Sequence, residues 1–121
     1  MNRLIISIAA CLLTTISAFA QNLSEAEVTS TMYRAFELHK AKRYAEALDA
    51  FLIVGVNVDP SKSEVERQVY VCSQTMACAC HYSIEQYPEG YQLAKKLIAG
   101  KLEDSEKKDI YHYYVLNGYM I

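Results

Sequence analysis

Tyr44-Ala45-Glu46-Ala47-Leu48-Asp49-Ala50-Phe51 decides the fold, because its pattern returns 43 positions later as Tyr87-Pro88-Glu89-Gly90-Tyr91-Gln92-Leu93-Ala94. In each copy an aromatic residue comes first, a small residue follows three positions on, and a packing residue seven positions on. Nine positions before each tyrosine stands another small side chain, Ala35 and Cys78. Spacings of three and seven put these residues on one face of a helix. A repeat of roughly 40 residues is one supersecondary unit that cannot bury its apolar face alone, so copies stack. Such arrays bind and position other molecules more often than they carry out chemistry.

The segments around the two copies read as helices with their own punctuation. Ser24 and Glu27 form a capping box, flanked by Leu23 and Val28 at the staple positions. Val28, Thr31, Met32, Ala35 and Leu38 then recur at helical spacing, and Lys40 to Arg43 is a polar turn. Tyr44, Ala47, Leu48, Phe51 and Leu52 mark a second helix. It runs into Val54-Gly55-Val56-Asn57-Val58, where β-branched residues also allow a short extended piece. Asp59-Pro60-Ser61-Lys62-Ser63 is a break, with Ser63 as the next N-cap. A long third helix is expected from about Glu64 to Gln86. Val65, Val69, Cys72, Met76 and Ala79 form one stripe on it; Val71, Thr75, Cys78 and Tyr82 form another. Two stripes imply a helix held between neighbours. Pro88 suits the start of a fourth helix, which buries Gly90, Tyr91, Ala94, Leu97 and Ile98 and stops at Gly100. A fifth opens at Asp104-Ser105 and points Ile110, Tyr114, Gly118 and Ile121 inward, with Tyr111 and Val115 beside them. No stretch sustains strand alternation, so the chain is expected to be all-α.

The amino terminus has a different character. Asn2 and Arg3 precede a largely apolar run from Leu4 to Ile16, and Ala18-Phe19-Ala20 supplies an A-x-A cleavage site. Residues 1–20 therefore read as a signal peptide cut after Ala20, and 21–121 as the folded domain, periplasmic or secreted. A competing reading takes Ile8-Ala9-Ala10-Cys11 as a lipobox that anchors Cys11 by lipid. The short apolar run before Cys11 and the apolar stretch after it favour secretion. Loss of Arg3 leaves 11 basic residues against 14 acidic, a net charge of −3 without a basic stripe, which argues against nucleic acid as a partner. The longest later apolar run, Phe51 to Val58, falls short of a membrane span.

Candidate chemistry is sparse. Cys72, Cys78, Cys80 and His81 are the one tempting cluster. On a helix at about 100° per residue, the three thiols point to roughly 0°, 240° and 80°, so they diverge. Zinc needs ligands that converge, and a Cys78–Cys80 disulfide needs Cβ atoms that face each other. Packing as small hydrophobes is the expected role. With three cysteines left after cleavage, an odd number, a disulfide framework is not expected. His39, His81 and His112 are scattered, and the acidic groups Glu25/Glu27 and Glu103/Asp104/Glu106 sit at helix starts, where they complement the dipole. No enzyme activity, metal or cofactor is expected.

On these residues the chain resembles the tetratricopeptide repeat. Ala35, Tyr44, Ala47 and Phe51 match that family's small, aromatic, small and large positions; Cys78, Tyr87, Gly90 and Ala94 match them again, and Gly118 resembles the small residue of a third A helix. The period is 43 rather than about 34, and Thr31 and Gln74 fill the early aromatic position. The resemblance implies antiparallel hairpins stacked as a short TPR-like solenoid of about two and a half repeats, acting as a non-catalytic protein–protein interaction or sensing module. The tyrosine-rich array and its connection Leu102-Glu103-Asp104-Ser105-Glu106-Lys107-Lys108-Asp109 are also similar to the start of the periplasmic portion of bacterial membrane-bound regulators. That likeness implies a role in signal transduction, as the front of a sensor histidine kinase or transcriptional regulator.

A groove lined by A helices would expose tyrosines, and Tyr33, Tyr70 and Tyr113 are the candidate partner-binding residues. The partner is expected to be a protein or peptide. The carboxyl end, Val115 to Ile121, carries neither a polar tail nor a partner B helix. Three readings stand: the last helix is itself the cap, the array is truncated, or another subunit completes it as a homo-oligomer through that uncapped helix.

Overall fold

The computed structural model describes residues 23–121, so the leader, the cleavage site and the lipobox lie outside the described residues. Five helices follow in order: α1 Glu25–Lys40, α2 Tyr44–Val56, α3 Glu64–Ser83, α4 Tyr87–Ala99 and α5 Asp104–Met120. No strand occurs among the described residues. The fold is all-helical, with each helix packed on the next and α3 also packed on α5.

The start signals act as their chemistry requires. Ser24 caps α1, with its Oγ accepting from Glu27 N–H at 3.2 Å while the Glu27 carboxylate accepts from Ser24 N–H. Ser63 Oγ accepts from Glu66 N–H at 3.1 Å at the head of α3. At α5 the box is built from Glu103 and Glu106. α2 continues helically through Val56, burying Val54 and Gly55, so only Asn57 and Val58 of the β-branched tail lie outside the helix, and neither is in a strand. α3 ends at Ser83 rather than Gln86, and Pro88 is the second residue of α4, not the first.

The reason for the early stop is a turn that occurs twice. Arg43 N–H donates to Leu38 C=O at 2.9 Å and Lys42 N–H to His39 C=O at 3.0 Å. Forty-three positions later, Gln86 N–H donates to His81 C=O at 2.8 Å and Glu85 N–H to Tyr82 C=O at 3.2 Å. Both are Schellman closures, which satisfy the orphan carbonyls of a helix end by turning one residue into the left-handed region. Lys42 and Glu85 take that role, each at φ 62°. The residue after each, Arg43 or Gln86, is already the N-cap of the next helix. Just beyond, His39 meets Tyr44 edge-on at 5.2 Å and Tyr82 meets Tyr87 at 5.6 Å. The sequence repeat is therefore a repeat of geometry. Gly100, by contrast, ends α4 in an extended conformation and uses no left-handed freedom.

Two apolar clusters share the middle of α3. Ala35 and Leu38 of α1, Ala47, Leu48, Ala50 and Phe51 of α2, and Ala77 and Cys80 of α3 form the first. Phe36 meets Phe51 edge-on at 5.2 Å along its rim. Cys78 of α3, Ala94 and Leu97 of α4, and Ile110 of α5 form the second, with Leu93 packed against both. α3 is thus held between neighbours as its two stripes imply, but the stripes are displaced. Ser73, Gln74 and Ala77 to His81 are buried, whereas Val65 stands exposed and Cys72 is half-buried. Neighbouring helices cover the middle and end of α3, while in its first turn Arg67 is held by Glu106 and Val65 is left exposed. On α5 the buried residues are Ile110 and Asn117; Ile121, expected inside, is exposed.

The helices approach closely where small residues allow it. A Cβ on Gly90 would lie 2.6–2.7 Å from the side-chain atoms of Asn117, which is fully buried on α5. Asn117 Nδ2 donates to Tyr113 C=O at 2.8 Å, and its Oδ1 has no hydrogen-bond partner. Beside it Tyr91 stacks on Tyr114 at 4.8 Å, their hydroxyls 3.0 Å apart.

Glycine to alanine inside a helix normally gains about 1 kcal/mol of stability. Gly90→Ala is expected to lose roughly 1–3 kcal/mol instead, through overpacking against Asn117. In an Asn117→Ala background the same change is expected to be neutral or stabilising, a sign reversal that a double-mutant cycle in urea measures. Glu85→Gly relieves a left-handed non-glycine residue and is expected to raise the thermal midpoint.

Candidate functional site

Because α1 and α3 both begin at the same end of the molecule, their first turns border a common cleft of about 590 Å³. Its apolar lining comes from Leu23, Val28, Val58, Val65 and Val69, and Glu25, Glu66 and Lys62 edge it. Asn57 closes one side: its Oδ1 accepts from Leu23 N–H at 3.1 Å and its Nδ2 donates to Ile53 C=O at 2.8 Å. The chain entering α1 is thereby tied to the end of α2. Val65 is 69 % exposed, so an aliphatic side chain faces water at the cleft mouth.

A second cleft, about 490 Å³, lies on the other flank of α3. Arg67 and Tyr70 of α3, Lys96 and Leu97 at the end of α4, and Lys101 and Leu102 of the following connection line it. Arg67 is not a free cation. Its Nε donates to both Glu106 carboxylate oxygens at 3.0 and 3.1 Å, its terminal nitrogen also reaches Glu106, and Glu103 stands 3.5 Å away. That fork ties the first turn of α3 to the first turn of α5. The guanidinium holds the Glu106 carboxyl below its ordinary value, helped by the Glu103 backbone N–H.

The three tyrosines singled out in the sequence are not brought together. Tyr33 is 74 % exposed on α1, beside Glu25, Ala26, Thr29 and Ser30; all five belong to one helix, so this is an open face. Tyr70 and Tyr113 are half-buried and both pack against the second cluster. Burial, then Asp109, Cys78 and Cys80, pushes the Tyr113 phenol above its ordinary value. Tyr70 also lines the second cleft. Sequence reasoning missed the α1–α3 cleft because Val65 and Val69 read as core. The signal lay in their position: both fall in the first two turns of the longest helix, where a neighbour has to reach past the Asp59–Ser63 break to cover them.

Cys72, Cys78 and Cys80 are free thiols. Burial pushes Cys78 up to about 12 and Cys80 up to about 11, and raises Cys72 as well. Such thiols stay protonated at neutral pH, where only a thiolate is a strong nucleophile or metal ligand. Among the described residues no three His, Cys, Asp or Glu side chains converge on a metal position. His81, buried near them, hydrogen-bonds through Nδ1 to Gln86 Oε1 at 2.9 Å, which fastens the α3–α4 turn. Among the described residues no helix is long and apolar enough to cross a membrane. Comparison with protein-family models, with curated proteins and with solved structures finds no match for this chain.

The Arg67–Glu106 pair sets a pH dependence. Because the folded-state pKa of Glu106 is depressed, its stabilisation is present above the unfolded carboxylate value and is lost as pH falls through the folded one. The wild-type protein is therefore expected to melt above Glu106→Gln at neutral pH, with the gap closing below about pH 4. Thermal scans of both proteins from pH 7 to pH 3 check this.

Proposed function

We propose that this chain is an exported, TPR-like helical-repeat module that binds another polypeptide and carries out no chemistry of its own. The observation that supports this reading most is the repeated hairpin: two Schellman turns 43 residues apart, with the same two bonds in each. A scaffold built from repeated hairpins derives its binding surface from the flanks of the stacked helices rather than from an enclosed pocket. The protonated, packed cysteines and the scattered histidines fit a binding role better than a catalytic one.

The cleft between α1 and α3 is the binding site in this reading. Its apolar floor and mixed-charge edge suit a short apolar segment of a partner, held between two helices that run the same way. Val28, buried on α1, forms the floor, and Val65 and Val69 form the wall that a partner side chain would cover. Burying one aliphatic side chain there contributes about 1.5–3 kcal/mol, enough to make a single wall residue decisive for a weak complex. The reading of residues 1–20 as a signal peptide supports export, with the partner in the periplasm or outside the cell.

Val65→Lys puts a charge on that wall without touching the core. Immobilised wild-type protein is expected to retain a partner from periplasmic extract that Val65→Lys fails to retain, while the two proteins melt within a few degrees of each other. Equal retention by both would remove the cleft from the account.

A further inference from the structure

The second cleft, on the α4 flank of α3, has an apolar floor and a cationic rim. Leu97 is buried in the second cluster, and Tyr70 and Leu102 pack against that cluster, so the floor is the edge of the core itself. Lys96 and Lys101 stand exposed at the rim, and among the described residues neither has an ion-pair partner. Every lining segment has chain on both sides of it, in the α2–α3 connection, α3, α4 and the α4–α5 connection. The cleft is therefore bounded by the fold and not by a chain end.

The charge at the rim exceeds what the fold uses. A helix end carries about half a negative charge, and Lys96 in the last turn of α4 offsets it. Lys101 lies beyond that helix and adds a further positive charge. Among the described residues no Asp or Glu lines the cleft. The carboxylates near it are engaged elsewhere: Asp59 accepts from Ser61 N–H at 2.9 Å and from Ser61 Oγ at 2.6 Å, and Glu106 is held by Arg67. The backbone donors are taken as well. Ser61 N–H serves Asp59, and Gly100 N–H donates to Leu97 C=O at 3.1 Å. A peptide laid here would bury amide groups without partners, which is costly. A ligand whose polarity is confined to one anionic end avoids that cost.

We propose that this cleft binds a medium-chain alkyl carboxylate. Its carboxylate lies between Lys96 and Lys101, and its chain runs over Tyr70, Leu97 and Leu102. The volume, about 490 Å³, falls within the range of small-molecule sites. An apolar lining with a few polar groups gathered at one end is also the usual make-up of such sites. The proposal goes beyond the polypeptide-binding reading and does not rest on it or on the cleft at α1 and α3.

Titration of the wild-type protein with octanoate and decanoate below their micelle concentrations, followed by amide NMR shifts, tests this. Saturable shifts are expected at Tyr70 and across residues 96–102. Each buried CH₂ tightens binding about fourfold, so decanoate is expected to bind about fifteenfold more tightly than octanoate. Decylamine, with the same tail and the opposite charge, is expected not to bind. Lys96→Gln combined with Lys101→Gln is expected to weaken decanoate binding roughly tenfold or more, with a thermal midpoint within a few degrees of wild type. Equal affinity for octanoate and decanoate, equal binding of decylamine, or undiminished binding by the double variant would overturn the proposal. So would shifts centred on Val65 and Val69, or a short peptide with a free carboxyl-terminal leucine that binds more tightly than decanoate. Val65→Lys separates the two readings: it is expected to abolish partner capture and leave decanoate binding intact, so either can fail without the other.

Discussion

Close packing through the middle of α3 is the constraint on which the structure depends. Ser73, Ala77, Cys78, Ala79 and Cys80 are all small and all buried there. Ala77 and Cys80 turn toward the α1–α2 hairpin, and Cys78 turns toward α4 and α5. A large side chain on either flank would hold one hairpin away and open a void on that side, because interiors fill to crystal-like density. The facing positions are small as well: Ala35, Ala47, Ala50 and Ala94. Phe51 and Ile110 are the largest apolar side chains fully buried, each set into its own cluster. The core is thus built of close helix approach around a few bulky side chains, and it is continuous across α3 because Leu93 touches both halves.

That constraint also accounts for Cys78 and Cys80, the two thiols buried in the clusters. A thiol is nearly as small as alanine's methyl group yet fills slightly more space, which suits positions where helices almost touch. Burial then raises each thiol's pKa, and with it the cost of the thiolate needed for metal binding or nucleophilic attack. The same packing leaves Val65, in the first turn of α3, at the mouth of a cleft, and the outer stripe of α5 facing water. A fold whose core runs along the centre of its longest helix exposes apolar residues where neighbours run out. In this chain they include Val65 on α3 and Tyr111, Val115 and Tyr119 on α5, with Tyr33 and Val56 on α1 and α2.

Helix order and caps were legible in the sequence because they depend on local chemistry. Ser24, Ser63 and Pro88 each satisfy or dispense with specific backbone donors, whatever surrounds them. The repeat was legible because Tyr44 and Tyr87 mark the same turn. Harder to read was how far a stripe stays covered: periodicity put Val65 and Ala79 in one row, yet the first is exposed and the second buried. Coverage depends on where neighbouring helices end, which is a tertiary fact. The left-handed residues were hidden for a related reason. Lys42 and Glu85 occupy a position that glycine prefers, and the hairpin closure imposes the conformation on them. Gly90 read as a small packing residue, but its partner Asn117 did not, since a buried amide with an unpaired oxygen breaks the rule that polar groups stay wet or satisfied.

Native-state hydrogen exchange tests the shared centre most directly. If one core runs through α3, the amides of residues 73–81 should exchange only through global unfolding, and should be the slowest in the molecule together with those around Phe51 and Ile110. Exchange of the α1–α2 hairpin and of the α4–α5 hairpin at two clearly different free energies, with residues 73–81 following the weaker of the two, would contradict a common core.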